Sequence, residues 1–547
     1  MRLDELRARI AQEGFAVDIG AALASFGPSI KQVLDYDPRK GAGTGPGGKR
    51  PGQRLAGLGF GAIFLALVWG FSALKAGDDP AGVFIILAGV VGGYMALNIG
   101  ANDVANNMGP AVGARALTMF GALVIAAVFE ALGAILAGGA VVATVSKGII
   151  DPAQIQSSGV FIAVMLAALF AAALWVNLAT VISAPVSTTH AIVGGVMGAG
   201  IAAAGIAVVN WGTMSKIAAS WVISPVLGGV VAALFLGFMK IAITDQDDKI
   251  AAAKRWVPVL VAIMAGVFST YLIMKGLKRV WKPDLWIVAA IGVAICGAAY
   301  WAVKPLVARR AEGLENRNKS VHGLFTIPLI CSAALLCFAH GSNDVANAVG
   351  PLSAIVGVAG TGGIAAKVEI PLWIVLIGAA GISVGLVLYG PKLIRRVGEE
   401  ITKLNPMRAY CVALSAAITV IVASTFGLPV SSTHIAVGAV FGVGFFREYL
   451  SARQIGARQT GMRQTGMRQT GMRQTGSRQT GSRQTGAPGG TTSNGSNGTG
   501  GNGGRFRRRK LVRRGHLMTI AAAWVVTVPA TAVMAGALFF LIDAFQR

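Results

Sequence analysis

The chain has 547 residues, of which 54% are hydrophobic and 13% are charged, and its formal net charge is +25. Soluble globular proteins carry about 25% charged residues, and a soluble domain cannot bury this much apolar surface in one core. The composition therefore excludes an ordinary soluble protein. The charge does not indicate a nucleic-acid partner either, because fourteen Lys and Arg residues and no acidic residue lie in one segment, 449–514.

Taken in chain order, residues 1–54 have mixed charge and then many Gly, Pro and Lys residues, which predicts an extramembrane extension. A membrane-spanning helix needs about 20 mostly apolar residues. Eleven segments meet this requirement: 56–75, 81–99, 116–137, 159–183, 217–240, 257–275, 284–306, 323–340, 371–390, 408–427 and 518–543. Two shorter apolar segments, 185–206 and 429–446, begin with Pro and predict half-spans or re-entrant helices. The expected fold is an all-α polytopic membrane protein with about 10–12 transmembrane helices, some of them broken.

Two sequence motifs occur twice, and their spacing predicts a duplicated fold. The first, Gly100–Asn106 (GANDVAN), recurs 241 residues later as Gly341–Asn347 (GSNDVAN). The second, Pro185–His190 (PVSTTH), recurs 244 residues later as Pro429–His434 (PVSSTH). Because the two offsets nearly agree, the two copies kept the same internal spacing.

A third, weaker repeated element begins at Trp221 and again at Trp524, and it locates an insertion. The interval from His190 to Trp221 is 31 residues, whereas the interval from His434 to Trp524 is 90. The additional 59 residues must lie within 447–517, where seven tandem RQxGx pentapeptides and a Gly/Ser/Asn/Thr stretch occur. Such a segment cannot bury a core, which predicts a disordered loop.

The charges of equivalent loops predict that the two repeats are inverted. Segment 138–158 carries one basic residue, whereas its counterpart 391–408 carries five. Since basic loops stay on the cytoplasmic side, equivalent loops of the two repeats should lie on opposite faces of the membrane. The expected organisation is an extension (1–54), a first repeat (55–240), a connecting transmembrane region (241–322), a second repeat (323–446), a basic loop (447–517) and a final helix that completes the second repeat (518–547).

Asp103 and Asp344 follow long apolar runs in matching Asn-Asp-Val-Ala-Asn surroundings. A carboxylate near membrane depth is costly and by default indicates function; a helix cap at the headgroup level is the structural alternative. Together with Asn102 and Asn343, these residues predict an oxygen site for Na⁺, or for H⁺ on the carboxylate itself.

The second motif predicts two helix starts that bind an anion. Pro suits the first turn of a helix, and Ser or Thr suits the cap. At a broken helix inside a membrane protein, hydroxyls and free backbone N–H groups attract an oxyanion, although helix–helix contact is the structural alternative. The candidate substrate-binding residues are Ser187, Thr188, Thr189, Ser431, Ser432 and Thr433, together with Asn106 and Asn347.

The two motifs together predict symport. An anion beside two carboxylates is repelled unless cations lie between them, so that binding of anion and cation becomes mutually dependent. Glu130 lies within an apolar run and is also expected to have a function. A hydrolase built from Ser187, His190 and Asp103 would lack the GxSxG elbow and would not need duplicated residues. We therefore expect a protein that is not an enzyme and has no cofactor.

The stretches GANDVANNMGPAVGA, HGSNDVANAVGP, PVSTTHAIVGG and PVSSTHIAVGA resemble the motifs of the inorganic phosphate transporter (Pit) family of sodium- or proton-coupled phosphate symporters. The resemblance covers roughly 56–446 and 518–543. It implies an inverted repeat in a cell inner (plasma) membrane, a phosphate site at the repeat interface, and a homodimer.

Matched motif by motif, the resemblance assigns coupling cations to Asp103 and Asp344 with Asn102 and Asn343. It assigns phosphate to the hydroxyl motif, and it links Glu130 and Glu369 to transport. Two other functions remain open: a sulfate or other oxyanion permease with the same site, and a membrane phosphate sensor that does not transport. The choice between Na⁺ and H⁺ also remains open.

Overall fold

The computed structural model describes residues 51–77, 82–182, 186–276, 281, 283–361, 363, 370–400, 404–473 and 514–546. Within them, seventeen α-helices form, and the one β contact is an isolated bridge between Ile150 and Val209. The first eight helices are α1 (Pro51–Ala76), α2 (Gly82–Asn102), α3 (Val104–Gly113), α4 (Met119–Ala137), α5 (Gly139–Lys147), α6 (Ser158–Val181), α7 (Thr188–Ala204) and α8 (Trp211–Met239). The remaining helices are α9 (Lys249–Lys275), α10 (Leu285–Ala311), α11 (Asn318–Leu324), α12 (Thr326–Asp344), α13 (Ala346–Thr361), α14 (Leu372–Glu400), α15 (Pro406–Thr425), α16 (Ser432–Arg473) and α17 (Arg514–Gln546).

The described helices confirm the predicted fold class. Twelve of them, counting a helix and its broken continuation once, are long and apolar enough to cross a membrane. Chain contacts define two units, one that ends at Val443 and resumes at Arg514, and one that begins at Gly444. Every contact discussed below lies within the first unit.

Two spans are broken at the Asn-Asp motif. Helices α2 and α3 are separated at Asp103, and helices α12 and α13 are separated at Val345. The continuations α3 and α13 were not among the predicted spans. Asn and Pro follow each apolar run, so the hydropathy pattern does not show the second half of the broken helix. The segment 138–158, which was expected to be a loop, contains helix α5, whose Val141 is buried.

Close approaches between glycines and backbone show how the repeats pack. A Cβ added to Gly100 in α2 would collide with the carbonyl oxygen of Ile382 in α14. A Cβ added to Gly341 in α12 would collide with the carbonyl oxygen of Glu130 in α4. The helix that carries the Asn-Asp motif in each repeat thus packs against a helix of the other repeat, and these two partner helices, α14 and α4, are equivalent. Such reciprocal contacts are the pattern that a two-fold axis produces.

The same reciprocity holds for the third repeated element. A Cβ at Gly194 would lie 2.6 Å from the carbonyl oxygen of Val528, and a Cβ at Gly438 would collide with that of Pro225. Val528 and Pro225 are therefore structural equivalents. Their separation of 303 residues is the same as that of the two Trp residues that begin this element, which agrees with an insertion of 59 residues.

Other predicted boundaries also differ from the structure. Helix α14 continues to Glu400, so the first part of the expected loop 391–408 is helical. The span predicted as a short segment at 429–446 belongs to α16, whose apolar part, Ser432–Arg453, has 22 residues. Helix α16 continues to Arg473, so the first pentapeptides of the expected loop are helical. Arg, Gln and Met favour helix, and extending an existing helix is easier than starting one. Residues 1–50 and 474–513, the rest of the two predicted extramembrane segments, lie outside the described residues.

Candidate functional site

Asp103 and Asp344 lie at the two breaks and are buried, with 2% and 1% of their surface exposed. Asp103 precedes the first residue of α3, but its side chain makes no capping hydrogen bond there. Asp344 is the last residue of α12. The structural alternative, a carboxylate that caps a helix at the membrane surface, does not describe Asp103.

The second motif forms the two helix starts that the sequence predicts. Ser187 is the N-cap of α7, and its hydroxyl accepts a hydrogen bond of 3.1 Å from the backbone N–H of His190. Ser431 holds the corresponding position before α16, where it accepts a bond of 3.3 Å from the N–H of His434. These two hydroxyls are therefore used to cap their helices.

The next hydroxyl in each motif is bonded to the carboxylate of its own repeat. Thr188 Oγ1 donates to Asp103 Oδ2 over 2.6 Å, and Ser432 Oγ donates to Asp344 Oδ2 over 3.0 Å. The equivalence of these bonds shows that the broken span and the helix start of each repeat form one local unit.

Further hydrogen bonds join the two repeats. Thr433 Oγ1 donates to Asp103 Oδ1 over 3.1 Å and accepts from Asn106 Nδ2 over 2.9 Å. Asn347 Nδ2 lies 3.1 Å from both Thr188 Oγ1 and Thr189 Oγ1. Residues that are 158 to 330 positions apart in sequence thus meet in one buried polar centre between the repeats.

Asn102 and Asn343 act as braces in this arrangement. The amide oxygen of Asn102 accepts from the backbone N–H of Val186 over 3.3 Å, and that of Asn343 accepts from the N–H of Val430 over 3.3 Å. Their amide nitrogens donate to the hydroxyls of Thr180 in α6 and Ser424 in α15, the helices that come before the two copies of the second motif. In this conformation the two side chains hold the start of the second motif in place.

Several acceptor oxygens in and beside the centre have no hydrogen-bond partner among the described residues: Asp344 Oδ1, Asn106 Oδ1, Asn107 Oδ1 and Asn347 Oδ1. A buried acceptor without a donor is costly, and a bound cation would satisfy it. Asp103, His340 and Asp344 each offer a ligand atom, and these atoms all lie within 4.8 Å of one another. The predominance of oxygen donors fits a hard cation such as Na⁺.

Glu130 reaches the same centre from α4. Its side chain is fully buried; Oε1 accepts from Asn107 Nδ2 over 3.1 Å, and Oε2 lies 2.5 Å from His340 Nδ1. His340 and Asn107 were not identified from the sequence. The available signal was a difference between the two copies, since Ile99 stands in the first repeat where His340 stands in the second. Glu369 lies outside the described residues.

The two motif histidines pack behind the centre. The ring of His190 stacks on Trp221 with centroids 3.7 Å apart and lies 4.5 Å from the ring of His434. His190 Nδ1 lies 2.7 Å from Ser187 Oγ. No contact links His190 to Asp103 in the described centre, so these residues do not form a Ser-His-Asp triad.

Comparisons with known proteins show which proteins the chain is similar to. The model of the phosphate transporter family matches residues 99–535. A protein of Helicobacter pylori (strain J99) named "Putative phosphate permease" is 54% identical over 393 residues, which are 71% of this chain and 73% of the relative. A protein of the same description from Pyrococcus abyssi is 37% identical over 369 residues, or 68% of this chain and 90% of the relative.

One solved structure, described as the sodium-dependent phosphate transporter, shares 33% sequence identity with this chain. The two superpose with a TM-score of 0.71, and the match covers 84% of this chain and 99% of the other. The family match extends over most of the chain and includes both copies of both motifs. The chain therefore belongs to the phosphate transporter family.

Proposed function

We propose that the chain is a secondary active symporter of inorganic phosphate that uses Na⁺ or H⁺ as its coupling ion. The observation that supports this most strongly is the buried centre, where two carboxylates and the unpartnered amide oxygens of Asn106 and Asn347 lie among hydroxyls from two helix starts. The similar solved structure is that of a transporter described as sodium-dependent, which favours Na⁺ over H⁺.

The coupling follows from electrostatics at the centre. Two carboxylates whose ligand atoms lie within 4.8 Å of each other repel any anion that approaches them. Cations bound by the carboxylates and the amide oxygens remove this repulsion and provide attraction instead. Phosphate and cation therefore increase each other's affinity, and this reciprocal coupling is what symport requires.

The helix starts supply the anion half of the site. The first backbone N–H groups of α7 and α16 lack partners within their own helices, and each start carries a partial positive charge. The hydroxyls of Thr188, Ser432 and Thr433 can turn from the carboxylates to an oxyanion. The hydroxyl of Thr189 can turn to it from the backbone carbonyl of Val430. The residence in a cell inner membrane and the homodimeric state that the resemblance implies are part of this proposal.

Uptake of labelled phosphate into proteoliposomes tests the substrate. We expect accumulation that excess unlabelled phosphate abolishes and that sulfate at the same concentration leaves nearly unchanged. Uptake of sulfate that phosphate does not compete with would replace this proposal by a sulfate permease. Binding of phosphate without uptake of either anion would indicate a sensor.

A further inference from the structure

The polar centre is less symmetric than the motifs that form it. A buried network of Asn107, Glu130 and His340 runs from α3 and α4 to α12 and ends beside Asp344. His340 Nε2 lies 2.9 Å from Asp344 Oδ2, although the two atoms lack the geometry of a hydrogen bond. Each of these four side chains is at most 1% exposed.

At the symmetry-related place, on the side of Asp103, apolar side chains stand instead of this network. The two-fold relation of the repeats pairs Glu130 with Ile382, because the backbone at these two positions contacts Gly341 and Gly100, respectively. The residues that correspond to His340, Glu130 and Asn107 are Ile99, Ile382 and Ala348. All three replacements are buried. The fold therefore accommodates either set, and the polar set is the one that contacts Asp344 through His340.

The two carboxylates consequently have different surroundings. Both oxygens of Asp103 accept hydrogen bonds from hydroxyls, those of Thr188 and Thr433. At Asp344, Ser432 and His340 crowd Oδ2, whereas Oδ1 has no partner among the described residues. His340 thus contacts the one oxygen of Asp344 that is already bonded, and the other oxygen is left for a ligand.

We propose that His340, held by Glu130 and Asn107, is a positioning residue that fixes Asp344 and makes the two halves of the cation site unequal. This inference rests on the proposed symport, because it concerns the coupling-ion half of the same site. His340 occupies the Oδ2 edge of Asp344 and keeps Oδ1 directed to the coupling ion. In the other half, the hydrogen bonds to Asp103 come from the hydroxyls of Thr188 and Thr433.

A structural role for the network is the competing explanation, and the symmetry-related apolar set, Ile99, Ile382 and Ala348, supplies the variant that separates the two. In the triple variant Asn107→Ala, Glu130→Ile and His340→Ile, the second half receives the side chains that already pack in the first. Replacing a whole buried polar network by apolar groups can leave stability nearly unchanged, whereas removing one member leaves the others unpaired. The matched control is Ile382→Val, which alters the equivalent apolar set.

Two single variants test the geometry further. In His340→Gln, the amide nitrogen can take the place of Nε2 next to Asp344, whereas in His340→Asn it can take the place of Nδ1 next to Glu130. If His340 acts through Asp344, the Gln variant retains more cation affinity than the Asn variant. A structural role through Glu130 predicts the opposite order.

The measurement is protection against thermal unfolding by NaCl, compared with choline chloride at equal ionic strength, on the full chain purified in detergent. We expect the half-protecting Na⁺ concentration to rise at least about tenfold in the triple variant, to remain unchanged in Ile382→Val, and to rise less in His340→Gln than in His340→Asn. A folded triple variant with wild-type Na⁺ protection would overturn the inference. So would a reversed or equal order of the two single variants, or a wild-type protein that Na⁺ does not protect.

This readout needs no transport. A wild-type protein that fails to accumulate phosphate in proteoliposomes therefore contradicts the proposed function, while the order of the variants in the protection assay still decides the role of His340. In the transport assay, the inference predicts a higher half-saturating Na⁺ concentration for the triple variant and for His340→Asn, with a smaller change in the maximal rate.

Discussion

At the scale of single residues, the sequence identified most side chains of the centre, but it did not show which of them contact one another. The position of Asp103 and Asp344 after apolar runs predicted that they lie near membrane depth. Because a carboxylate there is costly, its occurrence in both copies of the motif indicated a function. The hydrogen bonds between the repeats could not be predicted from the sequence, since Thr433 and Asp103 are 330 residues apart. His340 was not predicted as a site residue, because only one of the two copies of the motif contains it.

The cross-repeat hydroxyl of Thr433 provides a test at this scale. Thr433→Val keeps the shape of the side chain but removes the donor to Asp103 and the acceptor for Asn106. Hydrogen bonds to charged groups contribute about 1.5–3 kcal/mol, so we expect uptake to lose about ten- to hundredfold in kcat/KM for phosphate. Thr433→Ser is the control and should retain most activity. Wild-type kinetics in the Val variant would show that this hydroxyl does not contribute to the site.

At the scale of helices, the breaks and the helix starts determine where the site lies. The motif beginning with Ser187 was recognisable as a helix start because Pro, Ser and Thr suit the first turn and the cap. The continuations α3 and α13 were harder to foresee, because a helix broken at polar residues resembles the end of a span in a hydropathy pattern. Their polar breaks are tolerated because they are buried inside protein rather than exposed to lipid.

The close contacts between the repeats depend on glycine at Gly100 and Gly341. An added methyl group at either position would overlap backbone carbonyl oxygen of the facing helix, and overpacking of this kind costs about 1–3 kcal/mol. We expect Gly100→Ala and Gly341→Ala to lower the thermal unfolding midpoint in detergent and to reduce uptake. Gly59→Ala is the control, because no atom lies near its added Cβ and Ala favours helix. Equal midpoints for all three variants would contradict the packing described here.

At the scale of the whole molecule, the duplicated sequence predicted most of the architecture. The offsets of the motifs located the repeats and the 59-residue insertion, and the reciprocal glycine contacts agree with both. The inserted segment was expected to be disordered, but its first part continues α16 to Arg473. The low-complexity composition of the segment predicts disorder, but it does not show that an adjoining helix can continue into the segment.

The insertion gives a prediction at this scale. Since the centre is formed entirely by residues outside 453–504, deleting that segment should leave phosphate uptake largely intact at equal membrane abundance. The measurement is uptake normalised to the amount of protein in the proteoliposome, with the full chain as the reference. Loss of uptake from a variant that inserts normally would show that the insertion takes part in transport.

In the proposed mechanism, cations bound between two buried carboxylates hold phosphate in place. Its most direct test is phosphate accumulation in proteoliposomes under an inward Na⁺ gradient, then with choline in place of Na⁺ at fixed pH, and then with a pH jump. We predict accumulation above equilibrium under at least one cation gradient and its loss in Asp103→Asn. Equal accumulation without either gradient, or undiminished accumulation in Asp103→Asn, would contradict the account.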